Sequence, residues 1–501
     1  MKKPIYITFS YICALTFSFF VFFCCAQTLN AQPVTLDPTF GQNGMTVQNS
    51  GWGSTFVFDK LGNIINTGVS GNAVVMIKTS ADGIIDKNFG NNGQIYVDEN
   101  YILSSFEDLK ITNDNKILLL GDHEDNYTGI ILRRFNENGS IDNTFGDNGV
   151  MNLTSITGAH QPSSFHVSSV NLENDDFMLI GMTELMSGFI AVQSYISKYN
   201  YDGELDESFG ENGRVYLTDN ETYNIHPCYK SVKILSDQSI VIAGYDNFKD
   251  AGTMYTGKLA FCKLSPTGNL VANFANNGIW INSDPEYSEE RFNSIIEGAD
   301  SNLIFTASRF NFHGSIGGEF IYNFYPDGTI NSGFGTNGNC SPFTQYAGAL
   351  RVVQNGTKYL VRDRYNIMSI NNNGTIDTTF NNTGVFRFEN STFRAMKLQN
   401  ADKLVVVGSV NDKFSIVRLN IPSNLSVNQF NNSDNSTIIF PNPTKDYLNF
   451  NTEQQFEIMD MQGRILLKSK HATQSVNVSH LKIGIYFIKF KDGCVEKFVK
   501  E

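Results

Sequence analysis

The chain has 501 residues, 41% of them hydrophobic, and its 42 glycines, 40 phenylalanines and 17% charged residues describe a large, β-rich, turn-rich globular protein. A formal net charge of -13 argues against nucleic acid and anionic membrane surfaces as partners, because both would be repelled.

At the N-terminus, residues 1–31 begin with Lys2 and Lys3, run through an uncharged apolar segment from Ile5 to Phe23, and end in small-residue sites after Ala26 and Ala31. This reads as a cleaved secretory signal peptide. A membrane anchor is disfavoured because polar residues interrupt the apolar run, and a lipoprotein because Phe23 precedes Cys24. Removing the signal takes away two lysines and no acid, moving the net charge from -13 to -15. No later segment approaches the roughly 20 apolar residues of a membrane-spanning helix, so no transmembrane segment is expected in the mature chain. Three cysteines fall in the signal. Cys228, Cys262, Cys340 and Cys494 remain, with no metal-type spacing. Cys228 and Cys262 share one repeat unit, and whether they form a disulfide stays open.

From residue 33 onward one pattern recurs seven times. Its phenylalanines are Phe40, Phe89, Phe145, Phe209, Phe274, Phe334 and Phe380, separated by 46 to 65 residues. Four residues after each stands a glycine: Gly44, Gly93, Gly149, Gly213, Gly278, Gly338 or Gly384. Six of these follow an Asn, and Asn-Gly tolerates positive φ in tight turns. Three residues before the Phe, five copies carry Asp37, Asp86, Asp142, Asp206 or Asp377, suited to accept backbone N-H groups in an Asx turn. A further glycine lies six residues before the Phe in every copy but the first, as in Gly83, Gly139 and Gly203.

Each unit reads as four short strands, in the second unit QIYV, FEDLKIT, KILLLG and GIILRRF. Four strands per unit predict an all-β, seven-bladed β-propeller over residues 33–420, with the motif as the blade-to-blade turn. The spelling D-x-x-F-G-x-x-G at this period resembles the bacterial delta-60 repeat family. That resemblance implies a propeller-like extracellular module with no established chemistry.

Insertions concentrate on the connections opposite the motif turns, longest in units 3 to 5, and loops on a rigid scaffold are where binding usually resides. That face collects His123, His160, His226 and His313, with Trp52 and Tyr127, as candidate ligand-binding residues. They share no local ligand spacing, so a metal or ligand cluster competes with a reading as unrelated solvated side chains. No nucleophile motif, zincin helix or phosphate loop is present. Carboxylate pairs drawn from Glu124, Glu184, Glu221, Glu289 or Glu319 would suit a glycosidase, but 50 acids make such pairs uninformative. No catalytic residue, metal or cofactor is predicted.

An Asn- and Ser-rich linker, 421–437, precedes a small β-sandwich at 438–501 with four or more alternating strand patterns. This segment carries Pro441, Asn442 and Pro443 at its opening, Asp460 and Gly463 in a middle strand and turn, Leu481, Gly484 and Tyr486 in an L-x-x-G-x-Y step, and Lys497 in a basic tail. In these residues it resembles the C-terminal sorting domain of type IX secretion substrates of Gram-negative bacteria. The resemblance implies the type IX secretion machinery as a partner and a secreted or outer-surface destination. The expected function is binding of an extracellular glycan or protein without catalysis; the alternative is a secreted polysaccharide- or peptide-degrading enzyme with its site on the long-loop face.

Overall fold

The computed structural model describes residues 33–70, 73–96, 106–123, 129–152, 171–173, 176–184, 192–217, 227–248, 256–282, 289–298, 300–310, 316–343, 350–422, 439–460, 464–491 and 495–501. The predicted signal peptide and most of the predicted linker lie outside the described residues. Every regular element among those described is a β-strand. The chain divides into two compact units, Met1–Asn424 and Leu425–Glu501.

The first unit is built of antiparallel four-stranded meanders. One runs Phe106–Ile111, Ile117–His123, Gly129–Phe135, Val150–Asn152, and four more separate sheets follow the same order between Asn171 and Arg387. The remaining strands form one eight-stranded sheet centred on the 14-residue strand Met45–Phe58. Its first residues, Met45 to Val47, pair with Val417 to Ser415 and complete the meander Ser391–Asn400, Lys403–Val410, Lys413–Asn420. Its second half pairs Gly51 to Phe58 with Ile64–Ser70 and opens the next meander. The first and last strands of the unit therefore share one sheet, which covers edges that would otherwise template aggregation.

The first strands of most neighbouring meanders contact one another, so they lie innermost. Apolar clusters fill the spaces between sheets: Leu118, Leu120, Leu132 and Phe145 pack against Phe177, Leu179 and Tyr199 of the following meander.

The motif turns lie inside a sheet. Phe145 to Gly149 sits between the third strand, Gly129–Phe135, and the fourth, Val150–Asn152, which pair directly. This corrects the expectation of a blade-to-blade turn, and with it the unit boundaries. QIYV, the first strand of the second sequence unit, belongs to the preceding sheet, where Gln94, Ile95 and Tyr96 pair with Ile77, Met76 and Val75. The sequence repeat and the sheet are out of phase by one strand. That offset is why the first unit's leading strand is left to complete the last meander.

The turn nevertheless fastens one sheet to the next. Asp142 accepts the Thr144 N-H at 3.2 Å, and Asp37, Asp86, Asp206 and Asp377 make the same bond two residues on. All seven motif phenylalanines are buried. In five copies the residue after the Phe donates its N-H to the neighbouring repeat, as in Gly90 to the Asn138 carbonyl at 2.8 Å and Gly210 to that of Thr267 at 3.0 Å. Gly203 lies so flat on Phe145 that a Cβ there would stand 3.0 Å from the ring, and its φ of +86° is left-handed. Arg134, almost fully buried, donates to Asp142 at 2.5 Å and to the Tyr201 carbonyl of the next repeat, and lies between the rings of Phe145 and Tyr201. Arg418 serves Asp37 in the same way across the closure, at 2.8 Å. Burial by itself would raise Asp37; its bonds from Thr39 and the charges of Arg418 and Lys403 outweigh that and hold the carboxyl at about 2. The Asp142 oxygens are taken by Thr144, Arg134 and Lys116.

Cys228 and Cys262 lie on the two strands that flank Ile240–Phe248, paired with Tyr245 and Ile242 respectively. The strand between them separates their Cα atoms by about 10 Å across the sheet, and the offset from Ile242 to Tyr245 adds about as much along it, more than a disulfide spans.

In the second unit a three-stranded and a four-stranded sheet share one core formed by Leu448, Phe450, Phe456, Ile458, Tyr486, Ile488 and Phe498. Several of the predicted sorting-motif residues make bonds that serve this fold. Asn442 accepts the Val499 N-H at 2.9 Å and donates to the Lys497 carbonyl at 2.9 Å. Asp460 accepts the Arg464 N-H and guanidinium, Leu481 packs on the core, and Tyr486 stacks on Phe498 with its hydroxyl donating to the Lys482 carbonyl. Gly484 opens the strand Gly484–Phe490, and Lys497 is exposed on the next. Gly463 lies outside the described residues.

Candidate functional site

A meander places two sets of connections at opposite ends of its sheets. Motif turns and the short first-to-second-strand turns, such as 111–117 and 234–240, share one end. The second-to-third-strand connections and the links between sheets share the other. There the hairpins 70–73, 362–366 and 410–413 are tight, while the links and hairpins of the meanders between them are longer. The candidate site lies on this low side.

A recurrent irregularity marks the inner strands near this end. Register shifts fall between Gly53 and Thr55, Phe106 and Asp108, Tyr229 and Ser231, Phe292 and Ser294, and Phe393 and Ala395. Each inserts one residue and re-aims the local side chains, as β-bulges commonly do beside sites.

At the last of these bulges, Arg394 is exposed and lies over the Trp52 ring, 5.0 Å from its centroid. Trp52 itself is 38% exposed. The backbone around Arg394 is held from below. Buried Arg362 donates to the Phe393 carbonyl at 2.7 Å and to that of Arg394, and the Phe393 N-H donates to the Arg364 carbonyl at 2.8 Å. The tight hairpin 362–366 is organised by Asp363, which accepts the N-H groups of Tyr365 and Asn366 at 2.6 Å and the Asn366 amide at 2.8 Å. That turn presents Arg364 and Tyr365 to solvent, Tyr365 being 39% exposed.

Farther along, Arg351 donates to the Asn293 carbonyl at 2.9 Å, and the Asn293 amide donates to Glu319 at 3.2 Å and to the Ser308 hydroxyl at 3.0 Å. Ser308 also donates to Glu319 at 3.0 Å. Both bonds to fully buried Glu319 fall on one carboxylate oxygen, and the other has no partner among the described residues. Burial, reinforced by the charge of Asp363, raises the Glu319 carboxyl to about 7 despite the bonds from Ser308 and Asn293. In the arginines the push is opposite: burial and then Arg364 lower Arg394, and burial and then Arg351 lower Arg362.

Of the candidates read from sequence, the structure places Trp52 in this cluster. His123 closes the strand Ile117–His123 with its backbone paired to Gly129. The His123 side chain, Tyr127, His160, His226 and His313 lie outside the described residues. Sequence reasoning passed over Arg351, Arg362, Arg364, Tyr365 and Arg394. The available signal was the dense stretch Arg362-Asp363-Arg364-Tyr365 in a chain with only 37 basic residues.

Residues 438–501 match the family described as a secretion system C-terminal sorting domain, which implies type IX export to a secreted or cell-surface location. Residues 112–145 match a β-propeller domain of unknown function, DUF5122. No curated protein matches the chain in sequence. Among solved structures it is similar to PorZ, a surface component of the Porphyromonas gingivalis type IX secretion system, at 11% identity and a TM-score of 0.38 over 89% of this chain. The chain spans 59% of the length of PorZ. It is also similar to the Neurospora crassa Pan2 WD40 domain, at 9% identity and a TM-score of 0.41, covering 79% of this chain and 99% of that one. The β-propeller domain of the Pyrococcus furiosus Trilobed protease matches at 7% identity and a TM-score of 0.40, covering 75% of this chain and 94% of that one.

Proposed function

We propose that the protein carries a secretory signal peptide over 1–31, leaves the cell through type IX secretion by means of a β-sandwich sorting domain, and acts outside as a seven-bladed β-propeller. Seven blades are supported by reading the eight-stranded sheet as two meanders joined through Met45–Phe58, added to five separate ones. Its activity is binding of an extracellular glycan or protein at the end opposite the motif turns. The observation that carries this is the exposed group of Trp52, Arg394, Arg364 and Tyr365, held in place by a buried network while taking little part in the core. Binding of the full chain to a broad array of glycans and immobilised extracellular proteins tests it: reproducible signal on one class supports the reading, and silence on both overturns it.

Glu319 favours a second reading, a polysaccharide- or peptide-degrading enzyme. A carboxyl held near 7 is matched to general acid or base work at neutral pH. Turnover of a polysaccharide or peptide that Glu319→Gln abolishes would establish it; intact turnover in that variant would remove Glu319 from the chemistry.

A further inference from the structure

The cations of this protein are placed against its overall charge. The chain carries -13, yet Arg364 and Arg394 stand exposed at the low side of the open end with no carboxylate partner among the described residues. The nearby acids are occupied or suppressed: Asp363 spends both oxygens on its own hairpin, and buried Glu319 resists ionisation. Two part-exposed aromatic rings, Trp52 and Tyr365, accompany the guanidinium groups.

A second, independent feature lies at the far end of the inner strands, beside the first-to-second-strand turns. Lys110, Lys233 and Lys397 occupy the same register position in three meanders, paired with Leu118, Val241 and Val405, the second residue of the neighbouring strand in the first two and the third in the last. Lys397 also faces the Phe56 ring, and among the described residues only Lys110 of the three makes an ion pair, with Asp108 at 3.3 Å. Burial, then repulsion from Lys110, lowers both Lys233 and Lys397, the latter to about 8. Positive charge thus occurs at both ends of the inner strands, and a field of one sign attracts ions of the other.

Resting on the glycan-binding reading above, we infer that the ligand is an anionic polysaccharide, whose carboxylate or sulfate oxygens are taken by Arg364 and Arg394 while its pyranose faces lie on Trp52 and Tyr365. Guanidinium groups present a planar fork that matches such oxygens in pairs, which an ammonium does not. Flat rings bury the apolar C-H face of a sugar while remaining tolerant of its hydroxyls.

The test measures affinity of the full chain for polygalacturonate, dextran sulfate, uncharged dextran and polyglutamate at low and at physiological salt. The expected result is binding to polygalacturonate or dextran sulfate, weakened by salt, with dextran ignored; which of the two is preferred separates carboxylate from sulfate recognition. Arg364→Ala and Arg394→Ala should each weaken binding by about tenfold or more. Arg364→Lys and Arg394→Lys keep the charge without the fork, and should weaken it less if folding is intact in all four variants. Binding to dextran that ignores these substitutions overturns the anionic assignment and leaves the glycan-binding reading standing. Preference for polyglutamate overturns it in favour of an acidic protein. No binding to any probe, with binding elsewhere on a broad array, overturns this inference alone; silence there too overturns both.

Discussion

The two ends of the sheets teach different lessons because they are made by different rules. At the motif end, seven copies of one turn spend their polar groups on each other: aspartates on backbone N-H groups, buried arginines on aspartates and neighbouring carbonyls, phenylalanines on the glycines of the next repeat. At the open end, Arg364, Arg394, Trp52 and Tyr365 keep exposed surface, and Glu319 is buried with one oxygen unsatisfied. Even within one sheet the contrast holds. Glu290 is as buried as Glu319, but it accepts bonds from the Leu259 N-H, Asn282, Arg309 and Tyr322. A buried carboxylate with a full set of donors is a structural clasp; one held half-satisfied has its protonated form favoured by burial.

The sharpest way to break this contrast is at the motif end. Phe145→Ala empties a fully buried site between two sheets and should cost about 3–5 kcal/mol, read as a fall in thermal midpoint with no selective loss of binding. At the open end the same contrast becomes a pH effect. Because the folded Glu319 carboxyl is raised from 4.5 to about 7, the unfolded chain ionises first as pH rises. This contribution to stability is therefore complete below about 4.5, declines as pH rises to about 7, and is constant above, with a total on the order of 3 kcal/mol. Glu319→Gln should flatten that slope in denaturant titrations taken between pH 4.5 and 7; an unchanged slope would place its origin elsewhere.

A smaller effect is expected at Gly139, which has φ of +85° and would put a Cβ 3.0 Å from the Phe89 ring. Gly139→Ala should destabilise by about 1–2 kcal/mol, while the same substitution at exposed, right-handed positions should be close to neutral. Smallest of all for stability is Arg364→Ala, expected within about 0.5 kcal/mol of the parent by thermal unfolding. A larger loss would mean that Arg364 belongs to the scaffold, as the motif residues do.

What the sequence determined by itself was the repeat and everything local to it. Asn-Gly and the Asx residue act through their own backbone torsions and through bonds two residues away, so the turns can be read from ten residues. The sorting segment is legible for the same reason, since its signature residues serve turns, strand starts and a small core. The phase of the repeat against the sheets was not legible. Whether the strand after a turn pairs backward or begins a new sheet is settled by hydrogen bonds across the meander, and the pairing of Val150 with Arg133 is invisible in the repeat spelling. The same holds for closure, where Met45 meets Val417, and for the excluded Cys228 to Cys262 bridge. The candidate site was the least legible part. Trp52 and Arg394 are separated by 342 positions in the chain, yet the ring and the guanidinium lie 5.0 Å apart. Only the closing of the inner strands into one unit brings them together, and only burial against Ser308 and Asn293 distinguishes Glu319 among 50 acids.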